Sequence, residues 1–491
     1  MSYSTTPPPQ RRRWAALAVL LVAEAMNLLD ATIMTVAAPV IRAGLGGPVS
    51  SIQWFSAAYT LPFAVFLITG GRLGDIAGRR RVFRFGTAGF VLASLGCALA
   101  PSTAVLIALR AVQGAAAALA VPQTIGMIRA LFTGPDLARA MGTIGPVMGL
   151  AAVTGPVVGG ALTQADVLGS SWRAVFLVNV PLGAAVLAAT PLLPEDRAAP
   201  RPRLDHAGTA LAVLGSGLLV CPLIQGGTHG WPGWCWAMLA AGGAVLAGFA
   251  AHQRRRARGG RSTLVEPGLF ADRGFTAALV SSVLFFAVVG GLMLVAALQM
   301  QLGLHRDVLS AGFTLLPWSA AMALSSWAAG AWLVPRYGAR VMRAGLLALL
   351  AGVGSAAAVY ATSDPASYPW PLLPALAVAG VGQGLYAVPF FTTALNRVRP
   401  PETGSAAGLL NAVQQLGGTL GIALLGSVFF HAAAPGDPTP AAAALPGARN
   451  AFCLAAALVL ATAVTTAMML PRRRPSPANQ EERFVPDTRV R

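Results

Sequence analysis

Glu24 and Asp30 lie six residues apart in the first long apolar run, Trp14 to Val40, and no other apolar run carries an Asp or Glu in its interior. A carboxylate in such a setting is costly to keep charged, and residues of this kind mark ion or proton pathways. Arg110 lies inside the fourth apolar run. At about 1.5 Å rise per residue, Asp30 on an outgoing helix and Arg110 on a returning one reach similar depth. An unpaired guanidinium there is as costly as an unpaired carboxylate, so the two are expected to pair, with Gln113 as a polar neighbour one turn along. Burial and the nearby cation pull a carboxylate's proton affinity in opposite directions, which suits a group that changes protonation during a cycle. A static buried ion pair is the plainer alternative. Glu24 sits about 9 Å nearer the bilayer centre. Asn27, three residues from each acid, completes a slanting polar stripe. Glu24 is either a second proton site that meets a cationic substrate or a protonated acid bonded to a neighbour.

Three other groups of residues have a mechanical character. Gly145-Pro146, Gly149, Gly155-Pro156 and Gly159-Gly160 mark the fifth run. Small residues at this spacing make a flat face for close helix contact, and proline removes a backbone donor and bends the helix. This points to a hinge or seal, against the alternative of ordinary small-residue packing. Gly71 to Arg80 form a short turn with Asp75 among Gly78, Arg79 and Arg80, either a gate latch or a solvated charge cluster. Tyr59 and Tyr386 are candidates to line a substrate cavity. Trp54, Phe55, Trp318, Trp327, Phe390 and Phe391 read as packing or interfacial residues. Gln299, Asn396, Asn411, Gln414 and Gln415 give the second half polarity without charge.

The elements that must hold these residues are membrane helices. The 491 residues are 55% hydrophobic and 11% charged, with a mean hydropathy of +0.65. A spanning helix needs about 20 apolar residues. The chain divides into fourteen such stretches, at 14–38, 51–71, 82–100, 104–128, 138–162, 174–193, 207–226, 231–251, 275–299, 310–333, 341–361, 370–394, 405–431 and 450–470. The first run is too long and too acidic for a cleavable signal peptide. The net charge of +18 is carried by arginine, since the chain has no lysine. This excludes a Walker A phosphate loop. The arginines gather before the first run and in alternate connections: Arg11 to Arg13, Arg79 to Arg81, Arg84, Arg197, Arg201, Arg203, Arg254 to Arg256, Arg258, Arg261, Arg336, Arg340, Arg343, Arg397, Arg399 and Arg472 to Arg474. The remaining connections hold only Arg42, Arg173, Arg306 and Arg449. The positive-inside bias therefore predicts both termini in the cytoplasm, and the same pattern argues against nucleic acid as a partner. Cys97, Cys221, Cys235 and Cys453 lack metal-ligand spacing, although Cys221 and Cys235 flank one short connection and could pair. The chain has no G-x-S-x-G, H-E-x-x-H or Cys/His cluster, so no enzyme chemistry is expected.

The chain also repeats. At an offset of 260, Leu73, Gly78 and Arg80 fall on Leu333, Gly338 and Arg340. Gln113-Gly114 and Val121-Pro122 are echoed by Gln383-Gly384 and Val388-Pro389. Two parallel halves that build a site at their interface are a transporter plan.

Taken together, these segments resemble the major facilitator superfamily, and within it the fourteen-spanner drug:proton antiporter branch. Gly71 to Arg80 resembles the loop 2–3 signature, and Leu29 to Ile33 with Ala37 to Pro39 resembles the branch's first-helix motif. Arg110 to Gly114 resembles the fourth-span motif linked to proton transfer. Gly155 to Gly160 resembles the fifth-span antiporter motif, and Trp172 to Phe176 with Asn179 and Pro181 resembles the entry to the sixth span. Thr35, Ile76 and Glu24 depart from the family pattern.

The resemblance implies an all-α membrane protein with a major facilitator fold. Its parts are a cytoplasmic tail (1–13), a first six-helix half (14–193), two additional spans with flanking loops (194–274), a second six-helix half (275–470) and a cytoplasmic tail (471–491). The expected function is proton-coupled export of amphipathic or cationic small molecules across a bacterial cytoplasmic membrane; a proton-coupled uptake symporter is the alternative. Asp30, Arg110 and Glu24 would serve proton coupling, and Glu24, Asn27, Gln113, Tyr59 and Tyr386 the substrate cavity. Gly71, Asp75, Gly78, Arg79, Arg80, Gly155, Pro156, Gly159 and Gly160 would serve gating. The expected partners are a small-molecule substrate, protons and membrane lipid, with the protein a monomer using no metal or other cofactor.

Overall fold

The computed structural model describes residues 10–166, 169–195, 204–399, 403–431 and 440–469. Arg197, Arg201, Arg203, Arg472 to Arg474 and most of both expected tails lie outside the described residues. The first half comprises α1 (Gln10–Leu45), α2 (Ser51–Ala77), α3 (Arg79–Ala98), α4 (Thr103–Leu131), α5 (Gly134–Ala165), α6 (Ala174–Leu177) and α7 (Asn179–Ala189). Next come α8 (His206–His229) and α9 (Gly233–Arg258). The second half comprises α10 (Arg273–Leu298), α11 (Val308–Ala328), α12 (Val334–Tyr337), α13 (Arg340–Thr362), α14 (Leu372–Leu395), α15 (Thr403–His431) and α16 (Pro440–Met469). Among the described residues, thirteen segments are long and apolar enough to cross a membrane. The arginine-led α3, at 20 residues, is also long enough, which gives fourteen candidate crossings among the described residues.

Side-chain caps mark several helix starts. Ser102, Asp205, Asp272 and Asp307 each accept a bond from the amide three residues on, at 3.4, 3.0, 2.7 and 2.8 Å. Gly78 alone separates α2 from α3, at φ 103°, a conformation that needs glycine. The sixth crossing is split at Val178 into α6 and α7, because Pro181 has no amide to return to Leu177. The tenth crossing passes through a wider π turn at Ala329–Leu333 before α12, where Pro335 removes another donor. The four cysteines are unpaired.

The helix contacts repeat between the two sets. α1 packs on α5 and α7, α2 on α4, and α3 on α4; correspondingly α10 packs on α15 and α16, α11 on α14, and α13 on α14. The two sets meet along two seams, α5 with α11 and α2 with α15. The pair α8–α9 pack on each other, with α8 also lying against α2 and α15.

The seams are tight at the end of the bundle away from the start of α1. There Gln53 donates to the carbonyls of Ile422 and Ala423 at 2.9 and 3.0 Å, Gln301 donates to Val36 at 2.8 Å, and the hydroxyls of Thr60 and Thr419 are 2.6 Å apart. A Cβ placed on Gly160 would stand 2.7 Å from the Leu309 Cα. Farther back along the same seam, one on Gly149 would meet Ala323 at 3.5 Å, and one on Gly145 or Gly142 would meet nothing within 4 Å. Helices α5 and α11 therefore diverge toward the end where α1 begins.

Candidate functional site

Asp30 and Arg110 form the expected pair, and the structure adds a shell around it. Arg110 Nη1 donates to Asp30 Oδ2 at 2.5 Å, and the residues are 0% and 2% exposed respectively. The other carboxylate oxygen, Oδ1, accepts from Gln113 Nε2 at 3.0 Å and from Asn179 Nδ2 at 2.8 Å. Arg110 also reaches Gln113 Oε1 at 2.8 Å and, through Nε, the carbonyl of Phe55 at 3.0 Å. Ser94 accepts from Gln113 at 2.8 Å and from Asn179 at 3.4 Å. The guanidinium carbon lies 4.4 Å from the centre of the Tyr59 ring, a cation–π contact, while Nη2 has no hydrogen bond. Five elements, α1, α2, α3, α4 and α7, thus close one polar knot inside the first half. The three donors occupy three of the roughly four lone-pair sites of a carboxylate. A proton arriving on Asp30 would cancel the charge that holds Arg110 and leave a buried guanidinium short of its counter-ion.

The lower part of the stripe is arranged differently. Glu24 is half-buried and borders a small cavity of about 10 Å³ shared with Asn27, Thr87, Thr124, Phe83 and Phe90. This cavity lies among α1, α3 and α4, within the first half. Asn27 accepts a hydrogen bond from the Tyr59 hydroxyl. Tyr59 is 1% exposed and stacks on Phe63, so it links the upper and lower polar groups as a buried residue. Tyr386 lies away from any open face. It is fully buried in the second half, stacked on Phe390, packed against the tilted ring of Phe285 and hydrogen-bonded to Thr466 at 2.9 Å.

The glycines of α5 serve two neighbours. Gly155 sits over Thr32, and a Cβ on Gly159 would stand 2.9 Å from the side chain of Ile33, so both bring α5 against α1 beside Asp30. Gly160 and the Pro156 carbonyl face α11, where Gly312 gives room. In the turn, Arg79 pairs with Asp75 at 2.9 Å, and its guanidinium lies where a side chain on Gly126 would go. Arg80 lies 3.5 Å from Glu195, and Gly71 faces Pro122.

Sequence reasoning missed Asn179, Ser94 and the Phe55 carbonyl as parts of the site. Asn179 and Ser94 could have been noticed as polar residues inside apolar runs. No sequence signal marks a free carbonyl. Among the described residues, no group of three or more His, Cys, Asp or Glu could hold a metal.

Comparison with known proteins bears on the whole chain. It is 44% identical over 425 residues to a probable actinorhodin transporter of Streptomyces coelicolor, covering 86% of this chain and 74% of that one. It is 35% identical over 479 residues to the puromycin resistance protein pur8 of Streptomyces alboniger, covering 94% and 91%. A bacterial homologue of the human lysosomal transporter Spinster, in an inward-facing and unoccupied conformation, shares the fold, with a TM-score of 0.68 over 97% of this chain and all of that one at 16% identity. The family model described as Major Facilitator Superfamily matches residues 20–422. The chain therefore belongs to the Major Facilitator Superfamily and is a multi-pass membrane transporter rather than an enzyme.

Proposed function

We propose that this transporter exports amphipathic or cationic small molecules, antibiotics among them, in exchange for protons. The observation that carries the coupling is the enclosure of Asp30 by Arg110, Gln113 and Asn179. Protonation of Asp30 removes the attraction that fixes Arg110, and the knot must rearrange. The Phe55 carbonyl and the Tyr59 ring tie Arg110 to α2. Because α2 also forms the seam with α15, that rearrangement reaches the boundary between the two six-helix halves, 14–193 and 275–470.

The relatives support the direction of transport. Besides the two already named, a cephamycin export protein of Amycolatopsis lactamdurans is 36% identical over 475 residues. On the arginine pattern, both termini face the cytoplasm. The α5–α11 seam then diverges on the cytoplasmic side, which fits an inward-facing arrangement ready to take substrate from the cell. Glu24 is the acid available to a cationic substrate near the middle of the bilayer. Each elementary charge moved inward contributes about 2.3 kcal/mol per 100 mV.

Purified protein in vesicles with an imposed pH gradient tests this reading. Addition of a lipophilic cation such as ethidium should release protons through the parent, and Asp30→Asn should abolish the release while the protein remains inserted. Proton-driven export by Asp30→Asn at the parental rate would remove Asp30 from the coupling.

A further inference from the structure

The export reading leaves α8 and α9 without a task, yet the ends of this hairpin near the α2–α3 turn are elaborately bonded. Asp205, the cap of α8, is 2% exposed. It accepts from the Gly208 amide at 3.0 Å and from Gln253 at 2.7 Å, and lies 3.0 Å from His252 Nε2 and 3.5 Å from Arg256 Nε. Gln253, 3% exposed, uses its oxygen to accept the backbone amides of Leu264 and Val265 at 2.7 and 3.2 Å. Arg256 holds the Ser262 carbonyl from 3.0 and 2.9 Å. Side chains of the hairpin thus fold the connection 259–265 back upon it.

This fold presents the carbonyl of Thr263 to Arg72, which lies in the loop signature at the end of α2 and donates to it through Nη2. The Nη1 of Arg72 is buried without a hydrogen bond. Glu266, Asp205 and Asp75 act favourably on its charge, and the Arg256 guanidinium acts against it. The same connection leads into α10, whose cap Asp272 lies 3.4 Å from Arg397 beyond the end of α14. Arg72 therefore joins the first half to a segment that is anchored on the second.

We infer that Gln253 and Asp205 are positioning residues of the transport cycle: they hold the Thr263 carbonyl against Arg72, so that the α8–α9 hairpin acts as a clasp favouring the arrangement parted at this end. A bond made in one arrangement and lost in the other shifts their populations by its differential strength. The idle Nη1 gives Arg72 a free donor for an acidic neighbour when the clasp opens. The inference rests on the family's alternation between two arrangements and not on protons as the coupling ion.

The test reads the opposite end of the bundle. With Cys97, Cys221, Cys235 and Cys453 replaced by serine, Thr60→Cys and Thr419→Cys place thiols where the parent hydroxyls are 2.6 Å apart. Their oxidative crosslinking rate in membranes, without substrate or pH gradient, reports closure at that end. Arg72→Ala and Gln253→Ala should each slow crosslinking by roughly tenfold, and the double variant no further, because both act on one bond. Thr209→Val removes a 3.1 Å hydroxyl contact between α8 and Thr69 of α2 and a 3.0 Å bond to the Asp205 carbonyl, but leaves the side-chain bonds of Asp205, Gln253 and Arg72 intact, and should leave the rate unchanged. Parental rates in both single variants, additive slowing in the double, or equal slowing by Thr209→Val would overturn the clasp. If Gln253→Ala is not recovered from membranes, Arg72→Ala carries the test alone, because it leaves the hairpin's own bonds intact. The readout needs neither export nor protons, so failure of the clasp and failure of the antiport reading are separate results.

Discussion

Gln113 bonds both members of the buried ion pair: its amide nitrogen donates to Asp30 at 3.0 Å and its oxygen accepts from Arg110 at 2.8 Å. An amide in that place orders the pair, since turning it over would set its oxygen against the carboxylate and its N–H groups against the guanidinium. The pair is therefore held in one orientation, with a further carboxylate lone pair filled by Asn179 and the Arg110 Nε–H by the Phe55 carbonyl of α2, while Nη2 faces the pair's surroundings without a hydrogen bond. A proton on Asp30 breaks the pattern at its centre.

Loss of the cation beside Asp30 should be more damaging than loss of a neutral donor. Arg110→Ala leaves a buried carboxylate without its cation and is expected to destabilise the protein by about 3–5 kcal/mol. Asn179→Ala removes one of three donors and is expected to cost about 1–3 kcal/mol. Thermal denaturation of the two variants in detergent checks the order. Equal losses would mean that the guanidinium contributes no more than a neutral amide.

Replacing both charges should be milder than removing one. In Asp30→Asn with Arg110→Gln, no buried charge is left alone, so most of the stability lost in Arg110→Ala should return. Transport driven by a pH gradient should remain at background. Measuring denaturation midpoint and uptake on the same preparation separates the two effects.

A side chain at Gly160 should act on the seam between the halves. Even a Cβ there would stand 2.7 Å from the Leu309 Cα and 3.0 Å from the Val308 carbonyl oxygen, neither of which can rotate away. Gly160→Leu is expected to prise α5 from α11 at the tight end and to slow crosslinking of the Thr60→Cys, Thr419→Cys pair at least tenfold. Transport should fall by a similar factor. Gly142→Ala, with nothing within 4 Å, serves as the neutral comparison.

Glu24→Gln should separate substrates by charge. If the acid meets the cargo, cationic compounds lose protection in a host lacking other pumps, and neutral ones keep it. Equal loss for both classes would place Glu24 in the energetics of the cycle instead.

The clasp has a calculable acid limit. Although burial pushes the Asp205 carboxyl up, hydrogen bonds from His252, Gly208 and Gln253 and the Arg256 charge outweigh it and hold the group below its usual value of 3.8. A carboxyl lowered on folding contributes stability that is complete above its unfolded value and lost as pH falls through the folded one. The gap in denaturation midpoint between parent and Asp205→Asn should therefore persist down to about pH 5, and close only at more acid pH. A gap that narrowed near neutrality would show that another group governs the clasp.

Much of the architecture was legible in the chain because lipid allows few solutions. Long apolar runs must be helices, arginine marks their ends, and two charges alone in grease must find each other. Asp30 and Arg110 were paired on their similar depth and on the cost of leaving either charge unpaired. The sequence repeat likewise pointed to two halves, and the same helix contacts recur in both. Chain order does not reveal which neutral polar groups close around a charge. Asn179 is 149 residues from Asp30, and a lone Asn in an apolar run looks the same whether it meets a carboxylate or its own helix. Tyr59 and Tyr386 had equal claims on a cavity as tyrosines in spans; packing buried both, one against Arg110 and the other among the rings of the second half. Residue type thus determined what had to be sheltered from lipid. Tertiary structure alone decided which partners sheltered it, and that a hairpin resembling filler takes hold of Arg72, since side chains distant in sequence meet only once the helices are packed.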